Sequence, residues 1–335
     1  MRIKPLIFLI FILNVIACRY DNLQDYSDCA EFDIPPLNIG PLYCETDYQY
    51  KAPFFNPNND LEFVYIFYDN ISGKSSLEVF NYSTNEKKVL IDDGVSDISQ
   101  PNWGIYNKIA FNNYNQIYWI LSDGSELLQL GNDYRSKSPE WINKDSSLIF
   151  ANYWLEAANQ YHGEEEHMYE SIFSSNGALI DSFTIISPDE TMSGLSLGSF
   201  DNLSMLFARI YNTDDDNNFR MDLIDIKNKI IVETIEIPNV ENKTISCVQW
   251  HPNGQDLFFS QWYGNLYKFN LASGITSVVI ESCDSRWYDK FSFSSDGSKI
   301  IAEKVNNTFD GLTIWQTSEI VLMNIDGSGE VIILQ

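Results

Sequence analysis

The chain is short of positive charge. It carries 21 Lys and Arg against 47 Asp and Glu, for a formal net charge of −26. Nucleic-acid phosphates and anionic lipid surfaces would be repelled, which argues against a nucleic-acid binder or an electrostatically docked membrane protein. Histidine is nearly absent, with 3 residues, so little is left for a multi-histidine metal centre. Cysteine is scarce, at 5 residues, and none of the five forms a Cys-x-x-Cys pair. No Gly-rich phosphate loop and no Ser-His-Asp order is evident. Beyond the N-terminal segment, no apolar run approaches the ~20 residues a spanning helix requires. What the chain does have is aromatic residues: 21 Phe, 19 Tyr and 8 Trp, a composition that favours strands. At 44% hydrophobic and 20% charged it is globular rather than disordered.

The N-terminus reads as an address. Arg2 and Lys4 precede an apolar run from Leu6 to Ile16, broken only by Asn14. That run has the length of a signal-peptide core and is too short to span a bilayer. It ends Val15-Ile16-Ala17-Cys18, which resembles the lipobox of bacterial lipoproteins. The resemblance implies a signal peptide over residues 1–17, cleavage before Cys18, acylation of the Cys18 thiol and amine (palmitate among the chains), and a bacterial cell-envelope location. The most natural site is an outer membrane, with the protein facing the periplasm or the cell surface. The alternative is an ordinary signal peptide cleaved near Ala17. Residues 18–47 then form a lipidated tether or cap, acidic and stiffened by Pro35-Pro36. In an oxidising compartment Cys29, Cys44, Cys247 and Cys283 are disulfide candidates with three possible pairings. Local pairing, Cys29–Cys44 and Cys247–Cys283, is the expectation, and buried free thiols are the alternative.

Residues 48–335 are a repeat. In Gln249-Trp250-His251-Pro252-Asn253-Gly254 a short apolar strand runs into a turn, and Leu257 to Ser260 follows as a second strand. Asn265 to Leu271 alternates as a third, Ser273-Gly274 turns the chain, and Thr276 to Ile280 is a fourth. The first strands end at Phe54, Trp103, Trp141, Leu197, Trp250 and Phe293, which defines six units of about 48 residues. One such meander cannot bury both its faces, so the units must stack around an axis. The fold class is therefore all-β: a single six-bladed β-propeller of four-stranded antiparallel blades. Trp250-His251-Pro252-Asn253-Gly254 and Phe293-Ser294-Ser295-Asp296-Gly297 resemble the Trp-Ser-Pro-Asp-Gly signature of TolB-type (WD-repeat-like) propeller repeats. That likeness implies fold much more than function. Trp103, Trp141 and Trp250 recur at one place in the repeat and are assigned to packing between blades.

A site is sought where the repetition breaks. The units grow between second and third strands, around Trp154, Tyr161, His162, Glu164 to Glu166 and His167, around Tyr211 and Asp214 to Asp216, and between Asn306 and Thr317. These loops leave on the same side of the disc as the fourth-to-first connections, one of which carries Arg286-Trp287-Tyr288-Asp289. The partner-binding residues expected on that face are Trp154, Tyr161, Tyr211, Trp287 and Trp315, more exposed than the repeat tryptophans. Their acidic neighbours favour a neutral or basic partner. His162 and His167, five apart, do not share one face of a strand or helix. Asp214-Asp215-Asp216 lacks the alternation and glycine of a calcium loop. No metal, cofactor or catalytic residue is assigned. The functional expectation is a lipid-anchored, non-catalytic binding or scaffold module for a protein or glycan partner. A propeller hydrolase or lyase acting on carbohydrate, with carboxylates in the central funnel, is the alternative.

Overall fold

The computed structural model describes residues 42–335, apart from 93–97, 115, 131–134, 143–146, 156–165, 175, 177, 185–196, 202–205, 213–217, 239–242, 284 and 310–312. Among the described residues every regular element is a strand, and no helix is long and apolar enough to cross a membrane. The first strand, β1 (Leu42–Glu45), precedes the repeat. Blade one is β2 (Tyr48–Asn56), β3 (Asn59–Asp69), β4 (Lys74–Asn81) and β5 (Glu86–Ile91). Blade two is β6 (Ile98–Trp103), β7 (Lys108–Asn113), β8 (Gln116–Leu121) and β9 (Leu128–Leu130). Blade three is β10 (Arg135–Ile142), β11 (Ser147–Leu155), β12 (Glu166–Ser174) and β13 (Leu179–Thr184). Blade four is β14 (Leu197–Asp201), β15 (Leu206–Asn212), β16 (Asn218–Asp225) and β17 (Ile230–Pro238). Blade five is β18 (Ile245–Trp250), β19 (Asp256–Gln261), β20 (Leu266–Asn270) and β21 (Ile275–Ile280). Blade six is β22 (Arg286–Phe293), β23 (Lys299–Phe309), β24 (Thr313–Asn324) and β25 (Val331–Leu334).

Five of these sheets are four-stranded meanders in chain order, and the sixth is five-stranded. In the sixth, β24 is long enough to take two partners. Its second half pairs antiparallel with β25, and its first half pairs in parallel with β1, Cys44 opposite Trp315. A segment of the expected tether is thus built into the last blade. The first strands are innermost: β2, β6, β10, β14, β18 and β22 each touch the next, and β22 returns to β2.

The core lies in the seams between blades. Alternate side chains of a strand leave opposite faces of its sheet, so each second strand feeds two seams. Phe63 and Tyr65 of β3 join Ile301 and Ile320 between blades six and one, while Val64 and Ile66 join Ile109 and Phe111 between blades one and two. Both faces are buried, which is why these strands read as unbroken apolar runs. Trp103, Trp141 and Trp250 are buried at 3%, 5% and 7% exposure and occupy successive-blade seams, as packing requires.

Two anchor positions need correction. In blade one the residue in the seam with the preceding blade is Phe55, not Phe54, which faces the other way. One residue of slip exchanges the faces of a strand. In blade four the first strand begins at Leu197 and ends at Asp201, so the anchor position is held by a buried aspartate rather than by Leu197.

Hydrogen bonds made by side chains join blades six and one where the ring closes. Ser292 Oγ accepts from Phe55 N at 2.8 Å, and Asp60 accepts from the Ser295 amide and hydroxyl at 2.7 and 2.8 Å. His251 serves the adjacent seam: its Nε2 lies 3.0 Å from Gly297 O, and its ring packs on Phe258 and Phe293. Gly297 has a φ of 72°, and a Cβ there would lie 2.4 Å from the His251 ring, so glycine is required twice over.

Candidate functional site

The innermost strands are not regular. Five of the six shift register at one level: between Lys51 and Phe54, Ser99 and Asn102, Lys137 and Glu140, Ile245 and Cys247, and Tyr288 and Phe291. Three of these bulges hold a proline, Pro53, Pro101 and Pro139, each two residues before its seam aromatic. Proline has no N–H to give to a ladder and is tolerated where the ladder is already broken. Ala52 and Gln100, just before two of the prolines, have φ of 50° and 52°, a left-handed conformation costing roughly 1–2 kcal/mol outside glycine. The bulges ring the axis and leave ladder-free backbone facing it.

Cavities follow one another down that axis. At the bulge level the space is small, about 70 Å³, lined by Pro53, Gln100, Pro139 and Cys247. Toward the first-to-second-strand turns it widens to about 340 Å³ among Trp103, Trp141, Asp201 and Trp250. Toward the side of the second-to-third-strand loops it widens to about 450 Å³. This larger mouth takes side chains from blades one, two, five and six: Gln49 and Lys51, Gln100, Trp262, and Trp287, Asp289, Lys290 and Glu303.

Its electrostatics are set by few groups. Glu303 is 4% exposed, and Ala52 N, freed by the bulge, donates to its Oε2 at 2.9 Å. The Ser318 hydroxyl oxygen lies 2.7 Å from Tyr50 O and 3.0 Å from Glu303 Oε1. A hydroxyl has one hydrogen, so the chain is complete when Ser318 donates to Tyr50 and a protonated Glu303 donates to Ser318. Burial, reinforced by the Asp289 carboxylate, pushes the Glu303 acid up to about 7. Lys290 donates its ammonium to Ser246 O and lies 3.8 Å from Asp289 Oδ1. The Lys51 ammonium sits 5.2 Å over the Tyr68 ring.

The expected binding aromatics fare unevenly. Trp287 and Trp315 are 1% and 4% exposed, as deeply buried as the repeat tryptophans, which overturns the expectation that they stand exposed. Residues 306–309 and 313–317 belong to the long paired strands β23 and β24, and β1 covers Trp315 along its outer edge. Trp287 lies in the innermost strand β22, its ring 4.3 Å from Tyr263, and lines the larger mouth from within. Trp154 and Tyr211 sit at the β11 and β15 ends nearest the enlarged loops, Trp154 paired in register with His167; their side chains lie outside the described set. Tyr161, His162, Glu164, Glu165, Asp214 to Asp216, Cys18 and Cys29 lie outside the described residues.

The expected disulfides are also corrected. Cys247 is a thiol buried in the seam of blades five and six, with its Sγ 3.7 Å from Phe291 O, and Cys44 is in no disulfide. Cys283 is disulfide-bonded, so its partner is neither of these two. Cys247 packs in this seam and borders the axial cavity, and burial raises its thiol to about 11.

The sequence reading missed Gln49, Lys51, Gln100, Trp262 and Glu303. The available signal was proline two residues before successive seam aromatics, a fixed offset inside strands, which marks bulges aimed at the axis.

No protein-family model matches the sequence, and no curated protein matches it. Solved structures share its fold. The Agrobacterium tumefaciens protein assigned as a TolB is 14% identical, with a TM-score of 0.55 over 78% of this chain and 88% of that one. Pyrococcus horikoshii acylaminoacyl peptidase is 12% identical with a TM-score of 0.56 over 86% of this chain, which spans only 52% of the peptidase. An oligogalacturonate lyase crystallised with manganese is 10% identical with a TM-score of 0.53, covering 85% of this chain and 77% of that one. Identities this low establish a shared β-propeller fold, TolB's among others, and nothing about activity.

Proposed function

We propose that this protein is an envelope-anchored, non-catalytic binding module that receives a protein or glycan partner at the larger mouth of its axial channel, held to the membrane through lipid on Cys18. The observation that carries the reading is the 450 Å³ mouth, where amides, aromatics and charges of both signs converge from four blades on a closed, rigid ring. Loops and cavities on one face of such a scaffold are where binding concentrates. The bacterial envelope location rests on the charged start, short apolar core and Val15-Ile16-Ala17-Cys18 ending.

One observation favours the enzymatic reading. Asp289 and Glu303 line the same mouth, and a proton-holding acid beside a second carboxylate is a known arrangement for glycoside chemistry. Against it, both Glu303 oxygens are engaged by Ala52 and Ser318, so this acid works as a latch of the ring.

The test has two arms. Cys18→Ala is expected to release the protein from the membrane fraction or block its processing, and a processed variant that stays membrane-bound refutes the anchor. Wild type and Trp262→Ala are then used as bait on detergent-solubilised envelope. A partner retained by wild type, lost from the variant at unchanged melting temperature, supports the mouth. Equal retention, or turnover of an oligosaccharide by the purified protein, refutes it.

A further inference from the structure

Two hydrogen-bond donors of residues lining the larger mouth have no acceptor among the described residues. Gln49 Nε2 and Trp287 Nε1 are buried, each residue 1% exposed, and meet no acceptor among the described residues. The buried Asp289 Oδ1 likewise accepts no hydrogen bond, its nearest cation being Lys290 at 3.8 Å. All three residues line one cavity. Buried polar atoms are almost always satisfied, so unmet ones on three residues that line one space mark a place for a polar occupant. The occupant must accept from Trp287 and donate to Asp289, and a hydroxyl serves the Gln49 amide whichever way that amide is turned.

An apolar platform stands beside these atoms. Trp262, in the turn after β19, is 53% exposed and stacks on Tyr263 with centroids 5.4 Å apart and planes at 22°. Tyr263 in turn packs on Trp287 at 4.3 Å, so an aromatic ladder runs from the surface into the channel. A molecule with hydroxyls at its edge and a flat C–H face suits both features. The charge around the mouth selects further. Lys51 and Lys290 are matched in number by Glu45 and Asp289, Glu303 holds its proton, and Lys290 is already committed to Ser246. No surplus positive charge remains for a carboxylated ring. The cavity, about 450 Å³, falls within the roughly 300–1,000 Å³ of small-ligand sites.

We propose that the mouth bounded by Gln49, Trp262, Trp287 and Asp289 binds a neutral saccharide, with a ring face on Trp262 and its hydroxyls on the three unmet polar atoms. This rests on the reading of the mouth as a binding site and names the chemistry of its ligand.

The probes are the methyl glycosides of glucose, galactose, mannose and N-acetylglucosamine at millimolar concentration, with galacturonate as the acidic arm. The readouts are saturation-transfer NMR and tryptophan fluorescence on the full-length protein. At least one neutral glycoside is expected to bind, with galacturonate weaker. Trp262→Ala and Trp287→Phe, which removes the N–H and keeps the ring, are each expected to weaken binding about tenfold. Binding of galacturonate in preference to every neutral glycoside, no binding at all, or binding indifferent to both variants overturns the proposal. The bait experiment above separates the two readings. If a partner is still captured through Trp262 while every glycoside fails, the ligand class is wrong and the mouth stands. If both fail, the binding reading falls with it.

Discussion

Glu303 shows how one residue ties local backbone to ring closure. The bulge at Ala52 frees an amide, Glu303 of the last blade captures it, and Ser318 completes the link to Tyr50. The cost is a buried acid whose ionisation is disfavoured. Its folded-state value, about 7, lies above the ordinary 4.5. Across that interval the folded protein holds a proton that the unfolded chain has released. The Glu303 contribution to stability is therefore fully present below the lower value and is lost as pH rises through the upper one. Glu303→Gln keeps the acceptor for Ala52 and abolishes the titration. The melting-temperature difference, variant minus wild type, is expected to rise by roughly 5 °C between about pH 5 and about pH 8. A difference independent of pH would mean that Glu303 does not titrate in this range.

At the scale of the strand, face assignment decides which side chain carries load. Phe55 is 2% exposed in the seam that closes the ring, whereas its neighbour Phe54 is half-buried beside the channel. Truncating a fully buried Phe costs ~3–5 kcal/mol, because packing is lost and a cavity is left. Phe55→Ala is expected to lower the melting temperature by roughly 10 °C, and Phe54→Ala by less than half as much, measured by thermal circular dichroism. Equal effects would restore Phe54 as the seam residue. Sequence alone placed this anchor one residue early, because two adjacent phenylalanines satisfy either face. It placed the fourth anchor four residues early, because Leu195 to Leu197 mimics the apolar end of a strand that in fact continues to Asp201.

At the scale of the molecule, six inner strands meet in a ring, and the last blade both packs on the first and takes β1 along its edge. Stability is then shared over neighbouring seams, and no blade is dispensable. Removing residues 288–335 deletes the partners of Phe55, Ala52 and Asp60 at once. The truncated chain is expected to lose the cooperative transition of the parent, read by calorimetry or denaturant melts. A truncated chain that melts as sharply as the parent would argue against a closed ring.

The sequence by itself determined the repeat, the strand class, and the burial of Trp103, Trp141 and Trp250, because turn chemistry and alternation are local and recur once per blade. The fold class followed, since a lone meander cannot cover its own faces. Only the tertiary structure decided which residues meet at the axis. Gln49, Trp262, Trp287, Asp289 and Glu303 come from three blades and are brought together by ring closure, a contact between the two ends of the repeat that no local pattern encodes. The same closure buried Trp287 and Trp315, two residues whose polar sequence neighbours suggested a loop. In a propeller, depth is set by distance from the axis and from the next blade, and not by the company a residue keeps in the chain.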